Sequence, residues 1–383
     1  MKRLACLFLV IIVVYSCNPK QEKVERIIED GVEVIVNHSE PYQIKSEQTG
    51  FTLEEEFSID AESEDLADLG MDSMDLLDID LKGNIYIYSG EKLLKFDDKG
   101  HFIQTMGRKG QGPGEYLSIH TLRITTSGEV SAFDEQNAKF IFFNPDGTLN
   151  KEIKKTSGIF TFEAIYLDNG NFIFRERQDD KNKGIRLFHY SLLDRDFNKI
   201  KDLNPSFWIE IPYYNPSRIS LLGCSMKYEV SDDKIYVGSN MNDEIEIEVY
   251  DFQGELLRKV RKESERIKIP REYKEKIVER WKKSPAWEEW DLKRKHYFPE
   301  NFHPFKDFWV DEEGRTFVET YKESEEPGKY ILHIFNPGGV FIGSASLKEA
   351  RAKKFKNSRL YCVYRKESGF EELVAYKIRW EFK

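Results

Sequence analysis

Cysteine is scarce, with four in 383 residues, and that excludes the disulfide framework by which small secreted domains hold together without a large core. Cys6 falls within the first sixteen residues and Cys17 just after them. Only Cys224 and Cys362 remain for a folded part. Both have apolar neighbours (Leu221-Leu222-Gly223-Cys224 and Leu360-Tyr361-Cys362-Val363), and they read as two buried free thiols. A long apolar run is also missing. Residues 4–15 form an uncharged stretch of about a dozen residues, against the ~20 that span a bilayer. Positive charge is in deficit, with 58 Lys and Arg against 68 Asp and Glu for a formal net charge of -10. Nucleic acid is excluded as a partner, because binding it requires clustered basic residues against phosphate. The seven histidines show no His-Glu-x-x-His spacing, and His296 and His303 stand seven apart near Pro299 and Pro304 without the look of a metal pair. No Gly-x-Ser-x-Gly elbow occurs. No catalytic residue and no cofactor is expected from any motif.

The first residues are informative. Met1-Lys2-Arg3, the apolar run and then Ser16-Cys17-Asn18-Pro19 follow the order of a secretory signal, charged, apolar, then small. Val14-Tyr15-Ser16-Cys17 resembles the lipobox of bacterial lipoproteins, although Tyr15 stands where a small residue is usual. The resemblance implies cleavage after residue 16 and a lipidated Cys17, and several acyl chains anchor stably where one does not. Asn18 in place of Asp favours the outer membrane. We therefore expect residues 1–16 to be a signal peptide, 17–50 a lipidated tether, and 51–383 the folded part of an exported protein. Which face of the membrane it occupies is left open.

Aromatic residues are plentiful at 14 %, with 19 Tyr and 27 Phe, which suits strands. A unit recurs six times, opening with a turn and a short apolar strand. The turns fall at Gly83, Gly128, Gly170, Asp233, Gly314 and Ser358. Successive spacings are 45, 42, 63, 81 and 44 residues. The short spacings suit a four-stranded propeller blade of ~40–50 residues, and the two long ones require insertions. In the first five copies a second hairpin follows, turning at Gly100, Gly147, near Phe197, at Gly254 and at Gly339. The sixth copy ends without room for an outer strand, while residues 51–59 are unassigned. The expectation is an all-β, six-bladed β-propeller whose last blade is completed by that N-terminal strand.

The run Met106-Gly107-Arg108-Lys109-Gly110-Gln111-Gly112-Pro113-Gly114-Glu115-Tyr116, preceded by Lys95-Phe96-Asp97-Asp98-Lys99-Gly100, resembles the signature of six-bladed β-propeller lipoproteins of Bacteroides and relatives. The resemblance extends over roughly residues 27–383. It implies an extracytoplasmic, lipid-anchored propeller related in architecture to NHL-repeat and TolB-like propellers, and no agreed activity. The glycine run lacks the Gly-Lys-Ser/Thr ending of a phosphate loop. It reads as an interblade connection that Glu115 or Arg108 ties to a neighbouring blade, with Arg108 and Lys109 as candidate ligand contacts.

A small helical insertion is expected at about 270–304. Tyr273, Ile277 and Trp281 share a helix face, and Ser284-Pro285 starts a second helix carrying Trp287 and Trp290. Trp281, Trp287 and Trp290 either pack the insertion or stay exposed to grip a partner. Two function classes follow. The favoured one is a monomeric, noncatalytic binding platform for an unknown protein or saccharide, held to the membrane by lipid. The alternative is a lactonase-like or lyase-like propeller enzyme with a central metal such as calcium, marked by three or four oxygen ligands converging in the channel.

Overall fold

The structure, a computed structural model, describes residues 24–42, 44–156, 161–180, 185–203, 209–212, 219–222, 226–231, 233–240 and 243–382. The signal, Cys17 and Cys224 lie outside the described residues. Among them no helix is long and apolar enough to cross a membrane.

The chain forms a six-bladed β-propeller. Blades 1 to 5 are antiparallel sheets built in sequence order from inner to outer strand. Their inner strands are Leu76–Ile79, Ile119–Ile124, Thr161–Tyr166, Met226–Ser231 and Asp307–Val310. Blade 6 runs Ala352–Lys356, Arg359–Arg365, Glu371–Phe382 and then back to the N-terminal strand Gln48–Asp60. That last pairing extends from Gln48 opposite Phe382 to Asp60 opposite Glu372. The spare strand thus closes the ring, as strand counting requires.

Local chemistry sets the turns. Asp80 Oδ1 accepts from the backbone N–H of Lys82 and Asn84. Asp97, Asp194, Asp251, Asp311 and Asn336 repeat this i+2, i+4 pattern. The side chain thereby replaces the backbone partner that the turn lacks. The residue at i+3 must take positive φ: it is Gly83 at 88° in the first turn, whereas Phe197 supplies the same geometry at 63°.

Strand alternation then decides which blade faces which. Ile85 and Ile87 pack toward blade 6, while Tyr86 and Tyr88 pack toward blade 2. Leu360 and Cys362 face blade 5, and Tyr361 and Val363 face blade 1. Both faces of every blade are covered, so second strands such as Ile85–Ser89 and Val130–Asp134 are buried at every position. Among the described residues the apolar core divides into six clusters, one in each gap between blades, and a seventh in the insertion. The gap between blades 2 and 3 is dominated by phenylalanine, with Phe133, Phe140, Phe142, Phe172, Phe174 and Phe197 beside Ala164 and Leu193. Cys362 is a buried free thiol pushed up to about 11 by burial.

The expected tether over 17–50 needs correction. From residue 24 onward the chain is packed. Glu25–Glu29 and Val32–Asn37 form a hairpin, and the second of these strands adds in parallel to the outer strand of blade 4. Val34, Ile35 and Asn37 are fully buried. Asn37 joins two blades: its Nδ2 donates to Arg261 O and Gly339 O at 3.2 and 2.9 Å, and its Oδ1 accepts from Phe341 N at 2.8 Å. The chain continues across blade 5, where Tyr42 N donates to Phe341 O. At Gly343 a Cβ would come within 1.7 Å of Thr49 O, so only glycine lets the two backbones cross. One N-terminal arm therefore straps blades 4, 5 and 6. The physical reason is the Asp30-Gly31 turn followed by a β-branched run that needs an apolar partner.

Asn37→Ala should accordingly cost about 2–3 kcal/mol, because it leaves buried backbone groups of blade 5 unsatisfied. Ile28→Ala, at a site 69 % exposed, should stay within about 0.5 kcal/mol. Urea unfolding of the two variants measures this, and equal midpoints would return the arm to the status of a tether.

Candidate functional site: the central channel

The inner strands of all six blades surround a channel with a cavity volume of about 380 Å³. Its lining continues from the C-terminal ends of these strands onto the first turn of each repeat, at Asp80, Thr125, Asp168, Ser231 and Glu312, and onto Lys356 of blade 6. One mouth is therefore framed by the turns that carry the repeat. Apolar Ile79, Leu122, Ile165, Val310 and Phe355 alternate there with charged groups.

The charged groups pair from blade to blade. Asp78 of blade 1 accepts from Ile124 N of blade 2 at 2.7 Å. Arg123 of blade 2 donates to Tyr166 O and pairs with Asp168 of blade 3 at 2.8 Å. Glu163 of blade 3 takes hydrogen bonds from Tyr190 and from Tyr228 of blade 4. Lys227 of blade 4 lies 2.8 Å from Asp307 of blade 5 and 3.2 Å from Glu229. Glu319 of blade 5 meets Lys353 of blade 6 at 2.9 Å, both buried. Lys354 of blade 6 returns to Asp78 at 3.3 Å. The polar contacts form a closed ring.

Burial pushes the Glu163 carboxyl up, against the opposing pull of Arg175, Tyr228 and Tyr190. Its side chain is 31 % exposed, because it faces the channel rather than the packed gap between blades. Burial pulls Lys227 and Lys354 down, yet their carboxylate neighbours outweigh it and both end above the ordinary lysine value. They are cations throughout the neutral range. Among the described residues, no three His, Cys, Asp or Glu donor atoms converge in the channel. The one such group is Glu176, His189 and Asp202, on the outer three strands of blade 3.

The residues singled out in the sequence lie elsewhere. Arg108, Lys109 and the tryptophans belong to connections that enter inner strands, on the face opposite the turn-framed mouth. Arg108 is exposed and pairs with Glu115 at 2.6 Å, and Lys109 pairs with Glu91. Glu115 also accepts from Gly112 N at 2.8 Å, so the glycine loop wraps the chain's own carboxylate. The tie to blade 2 comes instead from Glu152, which accepts from Gly114 N, and from Asn137 and Lys139, which donate to Gly110 O and Gly112 O. In the insertion, helices Arg271–Lys282, Ala286–Glu289 and Leu292–Lys295 enclose a small core. Trp287 is buried there with Ile219, Leu221 and Leu292, while Trp281 and Trp290 are half-buried around it. Trp287 is thus a packing residue and is not available to a partner. The channel residues carried no local motif, since they are spread over all six blades.

Two outcomes follow. A carboxyl raised in the native state stabilises fully below its ordinary value and loses that contribution as pH rises through the native one. Glu163→Gln should therefore remove part of the decline in urea midpoint expected of the unmodified protein above about pH 4.5; parallel profiles would contradict this. Trp287→Ala should destabilise the insertion by about 3–5 kcal/mol and Trp290→Ala by less, as amide hydrogen exchange over residues 271–298 would report.

A model of the DUF5128 six-bladed β-propeller family matches residues 75–280, more than half of the chain. No curated protein matches. Among solved structures, a Bacteroides fragilis protein described as exported is 14 % identical, with 90 % of this chain and 99 % of that one covered and a TM-score of 0.52. A DUF4221 family member from Bacteroides vulgatus is 11 % identical over 95 % of this chain and all of its own, with a TM-score of 0.46. A gluconolactonase from Xanthomonas campestris is 10 % identical, over 85 % of this chain and 87 % of that one, with a TM-score of 0.42. At such identities the likeness is one of fold alone. Ring, turns and matched segment agree: this chain belongs to the DUF5128 family of six-bladed β-propellers.

Proposed function

We propose that the chain is an exported propeller, anchored by lipid at Cys17 to the outer membrane, that acts as a monomeric binding platform and receives a saccharide at the turn-framed mouth of its channel. The observation that carries this reading is the lining of that mouth. Carboxylates, ammonium groups and hydroxyls from six blades alternate with small apolar faces such as Phe355 and Val310. A sugar offers the complement, hydroxyls that both donate and accept together with apolar C–H faces. Binding is favoured over catalysis because Asp78, Glu163 and Asp168 of the channel are engaged by Lys, Tyr and Arg of neighbouring blades. A lactonase-like or lyase-like centre would need oxygen ligands free to converge on a metal. On the opposite face, the half-buried Trp281 and Trp290 of the insertion between blades 4 and 5 and, separately, Arg108 and Lys109 between blades 1 and 2 offer contacts for a protein partner.

The anchor and the site are tested separately. Cys17→Ser should move the protein from the membrane fraction to the soluble one and abolish labelling by a fatty-acid probe; unchanged retention would sink the anchor. Thr126→Ala combined with Lys356→Ala alters two residues of the mouth lining. On an array of envelope and dietary glycans this pair should weaken capture about 10-fold or more with unchanged melting temperature. Capture that survives this pair but fails in Trp281→Ala/Trp290→Ala would place binding on the other face.

A further inference from the structure

We propose that Glu176, His189 and Asp202 of blade 3 form a three-ligand site for a divalent transition metal such as zinc, with Lys199 as an exchangeable ammonium that holds the site when the metal is absent. The three ligands come one each from adjacent strands, Phe172–Asp180, Ile185–Leu193 and Lys199–Leu203. Glu176 and His189 are direct cross-strand partners, and Asp202 sits opposite Ser191, two positions from His189 along the same face. Strand pairing therefore fixes their Cα positions before any side chain moves.

The spacing suits a metal. His189 Nε2 lies 3.2 Å from Asp202 Oδ1 and 3.7 Å from Glu176 Oε2. Ligands at 2.0–2.2 Å around a tetrahedral zinc are separated by ~3.4 Å, and the two distances bracket that edge. Ser191 Oγ donates to Asp202 Oδ1 at 2.7 Å and orients that carboxylate, the supporting contact that metal ligands commonly have. An imidazole nitrogen with two carboxylate oxygens suits zinc better than calcium, which takes oxygen ligands alone.

A cation already occupies this place. Lys199 Nζ is 3.1 Å from Glu176 Oε1, 2.9 Å from Asp202 Oδ1 and 3.5 Å from His189 Nε2. Glu176 Oε1 is nonetheless buried without a well-formed hydrogen bond, so the ammonium neutralises the pocket without satisfying it. Lys199 is 39 % exposed and has room to swing outward. A bound metal would then replace one ammonium with three coordinate bonds, tying three strands of the blade together and leaving a fourth position toward solvent. This site is distinct from the channel, since none of its residues lines that cavity.

Zinc alone is the probe. The full chain, stripped with a chelator, is titrated with zinc in competition with a chromogenic chelator, and its melting temperature is followed in parallel. One zinc should bind per chain and raise the melting temperature. His189→Ala should weaken binding 10- to 100-fold, and Lys199→Met should strengthen it about 10-fold by removing the competing ammonium. If His189→Ala fails to fold, Asp202→Asn, at a position 35 % exposed, provides the same measurement and should also lose the thermal shift. Absence of zinc binding by the unmodified chain would overturn the site. So would zinc binding that is equal in the unmodified chain and in Asp202→Asn.

Discussion

The open edge of each inner strand is the constraint on which the rest of this structure depends. A strand at the edge of a sheet leaves a row of N–H and C=O groups without partners, and six such rows face one another across the channel. They are too far apart to pair as strands, so side chains serve them instead. Asp78 takes the N–H of Ile124, Thr121 donates to the carbonyl of Ala164, and Arg123 donates to that of Tyr166. Each of these side chains belongs to the blade before the one it serves. Asp78 and Arg123, with Lys227, Lys353 and Lys354, also form the ion pairs that link neighbouring blades. Closure is thus made by backbone hydrogen bonds in blade 6, through the strand Gln48–Asp60, and by charge at the centre.

Away from the channel, burial of both faces sets the composition. A blade inside the ring cannot keep one polar face, so its second and third strands become continuous apolar runs such as Ile85–Ser89 and Lys139–Phe143. Charge is left to outer strands, as in Leu149–Lys154, which is mostly exposed. Blade 4 departs from this, because its outer strand is covered by Val32–Asn37. Arg261 on that strand pairs with both Glu246 and Glu29, so the added hairpin is matched in charge as well as in apolar contact.

Much of the fold was legible in the sequence because its signals are local. The Asp-x-x-Gly turns carry their own hydrogen bonds, and the short spacing between them is the length of one blade. The closing strand could be inferred by counting. The hairpin of residues 25–37 was missed although its turn, Asp30-Gly31, stands plainly in the sequence; its partner is Leu256–Lys262, more than two hundred residues away, and no local pattern announces a parallel addition. Long-range closeness hid the candidate sites for the same reason. Asp78, Arg123, Glu163, Lys227 and Lys354 meet only because the ring closes. Trp287 illustrates the converse: its spacing from Trp290 was visible, but its burial depends on Ile219 and Leu221 from a different connection.

The two ends of the channel are built under different rules. At the turn-framed end every blade returns within a few residues, and the side-chain hydrogen bonds of Asp80 or Asp311 leave no slack for added length. Extra chain therefore collects at the other end, where an outer strand crosses to the next blade. The longest interval of the repeat arises there, from residues 263–306, and part of the other comes from the nine-residue strands Phe172–Asp180 and Ile185–Leu193. The uniform mouth presents contributions from six blades at once, whereas the opposite face is shaped mainly by what the insertion supplies. The lining of that mouth is not balanced in charge: Asp78, Asp80, Glu163, Asp168, Glu229, Asp233 and Glu312 stand against Arg123, Lys227, Lys354 and Lys356. Under the proposed binding role, that excess of carboxylates disfavours an anionic ligand and is compatible with a neutral, hydroxyl-rich one.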